Sequence, residues 1–361
     1  MINLKVTLGG KTYPLFIGID ILARLGEIYQ LYRYKPRAIL ITNSSFKKNS
    51  YFDIVVETFN KRNITIIPIF LTDQQVKSGL RTVQQIALQL VKYKFQPDET
   101  IVSLGGGQVA NISAFIAQVI YGGVPYLQIP TTLTAQIVQS VDPICRLNSD
   151  SILNLFAIKF EHSLVWSDVA LLKFLPERNF MSGFGHIIHY ACLLNNGLFE
   201  FVENNLKEIF KLNLEIIEET VFRSCQGRID FLKQNWSKPK NVKQHHFGEF
   251  MASILIESVR NSIKFGEALL LGMLVEGIIA FRSGIFNGAD FERFYELLKQ
   301  IPYDHFIDQI NQQKLIEYLN NKISHHKFPS LSLPQQFGEF TCYNEYKLSD
   351  FISALELILS N

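Results

Sequence analysis

The chain has 361 residues, 47% of them hydrophobic and 19% charged, with a formal net charge of +2. That length suits two compact domains, each with its own core, and the apolar content leaves no composition for a long disordered tail. The lysines are scattered, the densest group being Lys238 to Lys243, and no basic stripe supports a nucleic-acid or anionic-membrane partner. Cys145, Cys192, Cys225 and Cys342 form no CxxC pair, as expected for free thiols in a reducing cytosol. The N-terminus, MINLKVTLGGKTYPL, lacks the basic-then-apolar pattern of a signal peptide, and runs such as Ala268 to Val275 are too short to span a bilayer. A cytoplasmic protein is the expectation.

Residues 2–7 and 12–17 alternate apolar and polar around Gly9-Gly10, which predicts a β-hairpin. A helix is expected over Ile21 to Leu31, then a buried strand from Arg37 to Thr42, ending in the helix-capping cluster Asn43-Ser44-Ser45. A helix near Phe52 to Lys61, a strand over Ile64 to Leu71 and a long amphipathic helix over Lys77 to Lys94 follow. The stretch from Thr100 to Gln136 organises the rest. An apolar strand, Thr100 to Leu104, runs into Gly105-Gly106-Gly107, and Val109, Ile112, Phe115, Ile116 and Val119 then share one side of a helix. A second strand, Val124 to Ile129, ends in the turn Pro130-Thr131-Thr132. Strand, glycine turn and helix are the layout of a phosphate cradle, since glycine admits close backbone approach and the helix N-terminus favours an anion. The GxGxxG fingerprint is absent, and three glycines equally make a plain tight turn.

Strands and helices alternate from Arg37 to Asp168, the pattern of a parallel sheet covered on both faces. Ligands on such sheets bind beyond the C-terminal strand ends, where Asn43, Asp73 and Gly105 to Gly107 are expected. Beyond Pro176 the strand signals give way to helical patterns at Asn179 to Leu194, Leu198 to Phe210, Leu214 to Leu232, His246 to Ile263, Glu267 to Arg282, Asp290 to Gln300 and Lys347 to Leu359. The expected architecture is an N-terminal Rossmann-like α/β domain over residues 1–175 and a C-terminal all-helical domain over 176–361, with a small polar metabolite in the cleft between them.

The glycine turn, the PTTLTAQ segment at Pro130 to Gln136, Phe174-Leu-Pro-Glu-Arg178, and Phe265-Gly-Glu-Ala268 with Gly272-Met273 closely resemble the 3-dehydroquinate synthase family, the sugar-phosphate cyclases. The likeness covers nearly the whole chain and runs without gaps from Gly105 to Tyr190. It implies a homodimeric lyase in which NAD takes up a hydride transiently, one Glu and two His hold a divalent metal, and cations grip a sugar phosphate. The NAD residues it implies are Gly105, Gly106, Gly107, Thr131, Thr132 and Lys77, with Asn43 and Asn111 standing where the family has Asp. The acidic residue expected just before Lys77 falls on Gln74.

The departures cluster in the implied active site. The family's metal-binding Glu falls on His186, its first metal-binding His on Glu249 and its second on Phe265, which has no donor atom. The tentative metal residues are therefore His186 and Glu249, with a divalent metal in doubt. Family positions of catalytic or substrate-binding residues fall on His189, His246, Ser253, Arg228, Asn154 and, in a loosely placed segment, Lys327. Further family polar residues are replaced at Gly122, Val138, Ile144 and Leu153, while Asn148 keeps its identity. His186 and His189 stand i, i+3 on one helix and His246 and Glu249 do so on another, so two facing pairs make either an altered transition-metal site or a set of imidazoles and a carboxylate bonded to one another. Cys145, Trp166 and Trp236 read as packing residues, His162 as the start of a strand, and His325 and His326 as a solvated loop or a cleft lining. Two functions remain: a NAD-binding cyclase-type enzyme with altered chemistry, or a catalytically inactive paralogue serving as scaffold or regulatory partner. An iron- or zinc-dependent alcohol dehydrogenase ranks behind both.

Overall fold

The computed structural model describes residues 1–149, 154–194, 197–236, 246–259, 262–302, 307, 310–325 and 330–359. The chain divides into two compact units: Met1–Leu175 with Glu208–Ile229, and Pro176–Lys207 with Asp230–Asn361.

The first unit opens with the expected hairpin. Strands β1 (Ile2–Leu8) and β2 (Lys11–Gly18) pair antiparallel, and Gly9 and Gly10 close them with φ of 60° and 86°. Two positive φ values in succession suit a two-residue hairpin turn, which is why glycine occupies both places. Helix α1 (Leu25–Leu31), β3 (Arg37–Asn43), α2 (Ser50–Asn60) and β4 (Thr65–Leu71) follow. The helix expected from Lys77 to Lys94 is two helices, α3 (Asp73–Lys77) and α4 (Leu80–Lys92). Gly79 breaks them at φ 48°, in a place where a Cβ would lie 2.1 Å from the Asn148 carbonyl oxygen. Strand β5 (Thr100–Gly105), α5 (Gly107–Val119), β6 (Tyr126–Pro130), the short pair β7 (Ile144–Leu147) and β8 (Phe156–Lys159), and β9 (Leu164–Asp168) complete this part of the chain.

Seven strands form one sheet in the order β1-β2-β9-β6-β5-β3-β4, parallel except for β1 against β2. The alternating side chains of β3 show how it is buried on both faces. Ile39 and Ile41 pack with Val83, Ile86, Val109 and Ile112 of α4 and α5, whereas Ala38 and Leu40 pack with Leu25, Ile28, Val55 and Phe59 of α1 and α2. The chain leaves β3 for β4 on one side and returns to β5 on the other. The strand order therefore reverses between β3 and β5, the place where open α/β sheets bind ligands.

After β9 come α6 (Glu177–Leu193), α7 (Leu198–Phe210), α8 (Leu214–Asn235), α9 (Glu249–Ser258), α10 (Phe265–Arg282), α11 (Gly288–Lys299), α12 (Gln312–His325) and, last, α13 (Leu348–Leu359). Most of α8 belongs to the first unit. Cys225 donates to the Gln136 carbonyl (3.3 Å), and Arg228 bonds Asp142. The helical run carries one hairpin that its sequence did not announce, β10 (Leu331–Gln336) with β11 (Glu339–Tyr343). Its first four residues, Leu-Ser-Leu-Pro, are all buried, so the alternation that betrays a half-exposed strand is missing.

In the second unit, glycines set the helix crossings. A Cβ on Gly266 would lie 1.8 Å from the Ser182 carbonyl oxygen, one on Gly185 would lie 2.1 Å from that of Gly266, and one on Gly272 would lie 2.1 Å from that of Gly248. Backbones of α6, α9 and α10 thus touch directly. Arg178 locks the first crossing: its Nε and Nη2 fork onto both carboxylate oxygens of buried Glu267 at 3.0 and 2.9 Å. The FLPER and FGEA segments, far apart in sequence, meet in this ion pair. Among the described residues no helix is long and apolar enough to cross a membrane.

Candidate functional site

The site residues fall into two groups, one in each unit. In the first unit, strand register brings Asn43, Leu71, Gly105 and Pro130 to the same C-terminal edge. Asn43 caps the turn after β3 by accepting from the Ser45 N–H (2.8 Å), and its amide donates to Asp73 Oδ1 (2.8 Å) at the start of α3. Asp73 thus stands at this strand end, as its sequence position implies, one residue before Gln74. Lys77 ends α3 and is exposed.

None of Gly105, Gly106 and Gly107 has a positive φ, so the turn does not need glycine for its backbone angles. It needs glycine for space. An added Cβ would meet Val109 at 2.8 Å from Gly105, Thr132 at 3.0 Å from Gly106 and the Gln139 amide at 2.9 Å from Gly107. The turn is therefore packed against its neighbour after β6, where Thr131 N–H donates to the Gly105 carbonyl (3.0 Å) and Thr132 Oγ1 accepts from Ala135 N–H (3.2 Å). Ala135–Gln139 form a π-helical turn that carries Gln139 over Gly107. Gln139 Oε1 is buried there without a hydrogen-bond donor among the described residues. Asn111 is half-buried in the second turn of α5.

The substrate-loop residues of this unit are engaged with one another. Arg228 Nε donates to Asp142 Oδ1 at 2.9 Å, and Nη2 lies at the same distance from that oxygen, in a mostly buried pair. The one cation kept from the implied phosphate grip in this unit thus faces a carboxylate, a partner the sequence reading did not identify. Asn154 is exposed with φ 54°, a conformation asparagine tolerates, and its N–H donates to Asn148 Oδ1 (2.9 Å). Leu153, His326, Lys327 and the Lys238 to Lys243 cluster lie outside the described residues, as does the side chain of His325. Cys145 is buried with its thiol pushed up to about 12 by burial, and Trp166 is packed inside the sheet. His162 precedes β9, buried, with Nε2 2.8 Å from Gln128 Oε1; burial holds its pKa down at about 3.

In the second unit the close crossing of α6 and α10 stacks the His186 ring on Phe265, with centroids 5.7 Å apart and planes at 22°. His189, one turn on, is buried. His246 was expected on the same helix face as Glu249, but α9 begins only at Glu249, because Gly248 takes a left-handed φ of 80°. His246 lies outside the helix and its Nδ1 bonds Glu249 Oε2 across that turn. Burial pushes the Glu249 carboxyl upward. The hydrogen bond from His246 and the fields of His189, His246 and His186 outweigh it and leave its pKa below the ordinary value. Ser253, at a family His position, bonds the Phe250 carbonyl (2.7 Å).

This donor set does not fit a divalent metal as arranged. Phe265 supplies no lone pair, His186 is stacked upon it, and Glu249 is taken by His246. No group of three His, Cys, Asp or Glu among the described residues is placed to hold a metal. The first unit, by contrast, offers a polar pair at the switch point, a close-packed glycine turn and an unmatched buried acceptor, which together fit a dinucleotide.

Two family models match. One, described as 3-dehydroquinate synthase N-terminal, covers residues 68–182, and the other, 3-dehydroquinate synthase C-terminal, covers 183–322. A 3-dehydroquinate synthase of Thermodesulfovibrio yellowstonii is 28% identical over 302 residues, spanning 83% of this chain and 84% of its own. Among solved structures, 2-deoxy-scyllo-inosose synthase superposes with a TM-score of 0.85 at 18% identity, covering 99% of both chains. A second crystal structure of that synthase, complexed with carbaglucose-6-phosphate, NAD+ and Co2+, gives 0.83 at 18% identity over 99% of both chains. ValA, the 2-epi-5-epi-valiolone synthase of Streptomyces hygroscopicus, with NAD+ and Zn2+ bound, gives 0.81 at 18% identity over 98% of both chains. The expected doubt about a divalent metal is not borne out by these relatives, which hold Co2+ or Zn2+. With both family models matched end to end over residues 68–322, the chain belongs to the 3-dehydroquinate synthase family.

Proposed function

We propose that this chain is a NAD-binding cyclase-type lyase whose substrate or chemistry differs from ordinary dehydroquinate synthesis. The observation that carries the altered chemistry is the Arg228–Asp142 pair: a guanidinium already neutralised by a carboxylate is a poor grip for a phosphate dianion. Ile144 and Phe265, apolar where the family has a cation and a metal ligand, point the same way. NAD+ in the solved relatives supports the dinucleotide half of the reading.

NAD, when bound, would accept and return a hydride. The chain's own residues would do the remaining work. Asp73 and Asn43 offer a carboxylate and an amide to ribose hydroxyls, α5 presents its N-terminal N–H groups to the pyrophosphate, and Gln139 Oε1 offers an acceptor beside Gly107. In the second unit Glu249, held ionised, would accept the hydrogen bond of His246 Nδ1 and orient that imidazole, leaving its Nε2 to act as acid or base. A small polar metabolite without a phosphate dianion is the substrate class this arrangement favours.

Thermal denaturation with millimolar NAD or NADP tests the dinucleotide half. A ligand present at about 100 times its Kd adds roughly 2.7 kcal/mol. A rise of several degrees with NAD is expected, and no rise with either nucleotide would refute NAD binding. The second reading, a non-catalytic scaffold, is favoured by one feature: Arg228 with Asp142, His246 with Glu249 and His186 with Phe265 are each engaged inside the chain. Absence of a NAD shift would select it.

A further inference from the structure

We propose that Glu276 is the positioning residue of the His246–Glu249 pair, acting as a cap that one helix supplies to the start of another. The inference rests on reading that pair as the working part of the second unit. Helix α9 begins without a cap of its own: Gly248 stands at the N-cap position, has no side chain to offer, and adopts φ 80°. The first N–H groups of a helix need acceptors, and a buried start without them is costly. The acceptors come from α10. Glu276 Oε2 accepts from the Gly248 N–H at 2.7 Å and Oε1 from the Met251 N–H at 3.1 Å.

Both carboxylate oxygens are thereby committed to the turn that flanks Glu249 on either side. The approach that makes this possible is set by glycine. Gly272, one turn before Glu276, lies where a Cβ would be 2.1 Å from the Gly248 carbonyl oxygen, and a Cβ on Gly248 would meet Met273 Cγ at 2.5 Å. Glu276 has no exposed surface, so its carboxylate has no reason to be in the core except these two bonds. Burial raises the proton affinity of Glu276 and the charge of Glu249 adds to it; Tyr346, whose hydroxyl is raised by burial first, is raised further by Glu276. With residues 248 and 251 fixed, the backbone that carries Glu249 is held where its carboxylate bonds His246 in the field of His186 and His189. Removing the anchor frees that turn, and the pair loses its alignment while α6 and α10 remain locked by Arg178 and Glu267.

The test is NMR on the full chain with isotope-labelled histidine, and it needs no enzyme assay. In the wild type, the Nδ1 proton of His246, deshielded by its bond to Glu249, is expected as a downfield signal that H246Q removes. Below its raised pKa Glu276 is a neutral acid, which Gln would mimic, so the test variant is E276L, which removes both acceptors. The expected outcome is that this signal disappears by exchange while the circular dichroism stays that of the wild type, and that exchange of the Gly248 and Met251 amides quickens by about tenfold or more. An unchanged His246 signal with unchanged amide exchange in folded E276L overturns the proposal. Should E276L not fold, hydrogen exchange on the wild type decides. Gly248 and Met251 amides as protected as the interior of α10 support the cap, and free exchange at both overturns it. A missing NAD shift would sink the enzyme reading and leave these signals as they are, so the two failures are distinguishable.

Discussion

Glycines shape both units, and they do so to different ends. At the strand ends of the first unit, Gly105 to Gly107 pack against side chains, those of Val109, Thr132 and Gln139. Beside them stand a polar pair, Asn43 and Asp73, and an unmatched acceptor on Gln139. In the second unit, Gly185, Gly266 and Gly272 pack against backbone, and the polar residues near them bond one another. The difference teaches where change is tolerated. A turn that touches side chains, as Gly107 does the Gln139 amide, can yield more readily than a helix crossing at backbone contact, so the scaffold persists while the side chains displayed on it are exchanged.

The largest expected effect comes from G266A. Its Cβ would fall 1.8 Å from the Ser182 carbonyl oxygen, and roughly 3–5 kcal/mol of stability should be lost in urea denaturation. G105A, which meets only the Val109 side chain at 2.8 Å, should lose about 1–3 kcal/mol. Equal losses in the two variants would erase the contrast between the units.

The pH dependence of stability comes next. Burial raises the Glu276 carboxyl from its ordinary 4.5 to about 8, against the pull of its two N–H bonds. Between those values the folded chain holds a proton that the unfolded chain has released, so this group's contribution is full at low pH and is lost as pH rises toward 8. The slope from this one group is at most about 1.4 kcal/mol per pH unit. The difference between the wild type and E276Q isolates it, and a difference that does not change with pH would contradict it.

D142A should leave Arg228 largely buried without its carboxylate and cost about 2–3 kcal/mol, part of which D142A with R228M should recover. Full stability in D142A would mean that the pair does not close the loop. The smallest effect is expected from D73N, a loss of about 1 kcal/mol in NAD affinity by calorimetry with the melting temperature of the free chain unchanged.

Much of the first unit was legible in the sequence because its signals are local: the hairpin at Gly9-Gly10, the apolar strands, and the glycine turn opening a helix. The break at Gly79 escaped, since what forces it is the Asn148 carbonyl, far along the chain. Asp73 was expected at the strand end but not as the ribose carboxylate, because motif matching placed that role on Gln74. The pairs that define the candidate site were the least legible. Arg228 meets Asp142 across 86 residues, and Arg178 meets Glu267 across 89. Nothing in either neighbourhood announces the partner, and only the folded chain supplies it.

The central claim is that the family's scaffold persists here with its chemistry changed. The most direct test is dehydroquinate formation from the heptulosonate phosphate substrate, assayed on the purified full chain with NAD+ and added Zn2+ or Co2+. The account predicts no detectable product. Turnover within the ordinary enzyme range of about 1–1000 per second would contradict it.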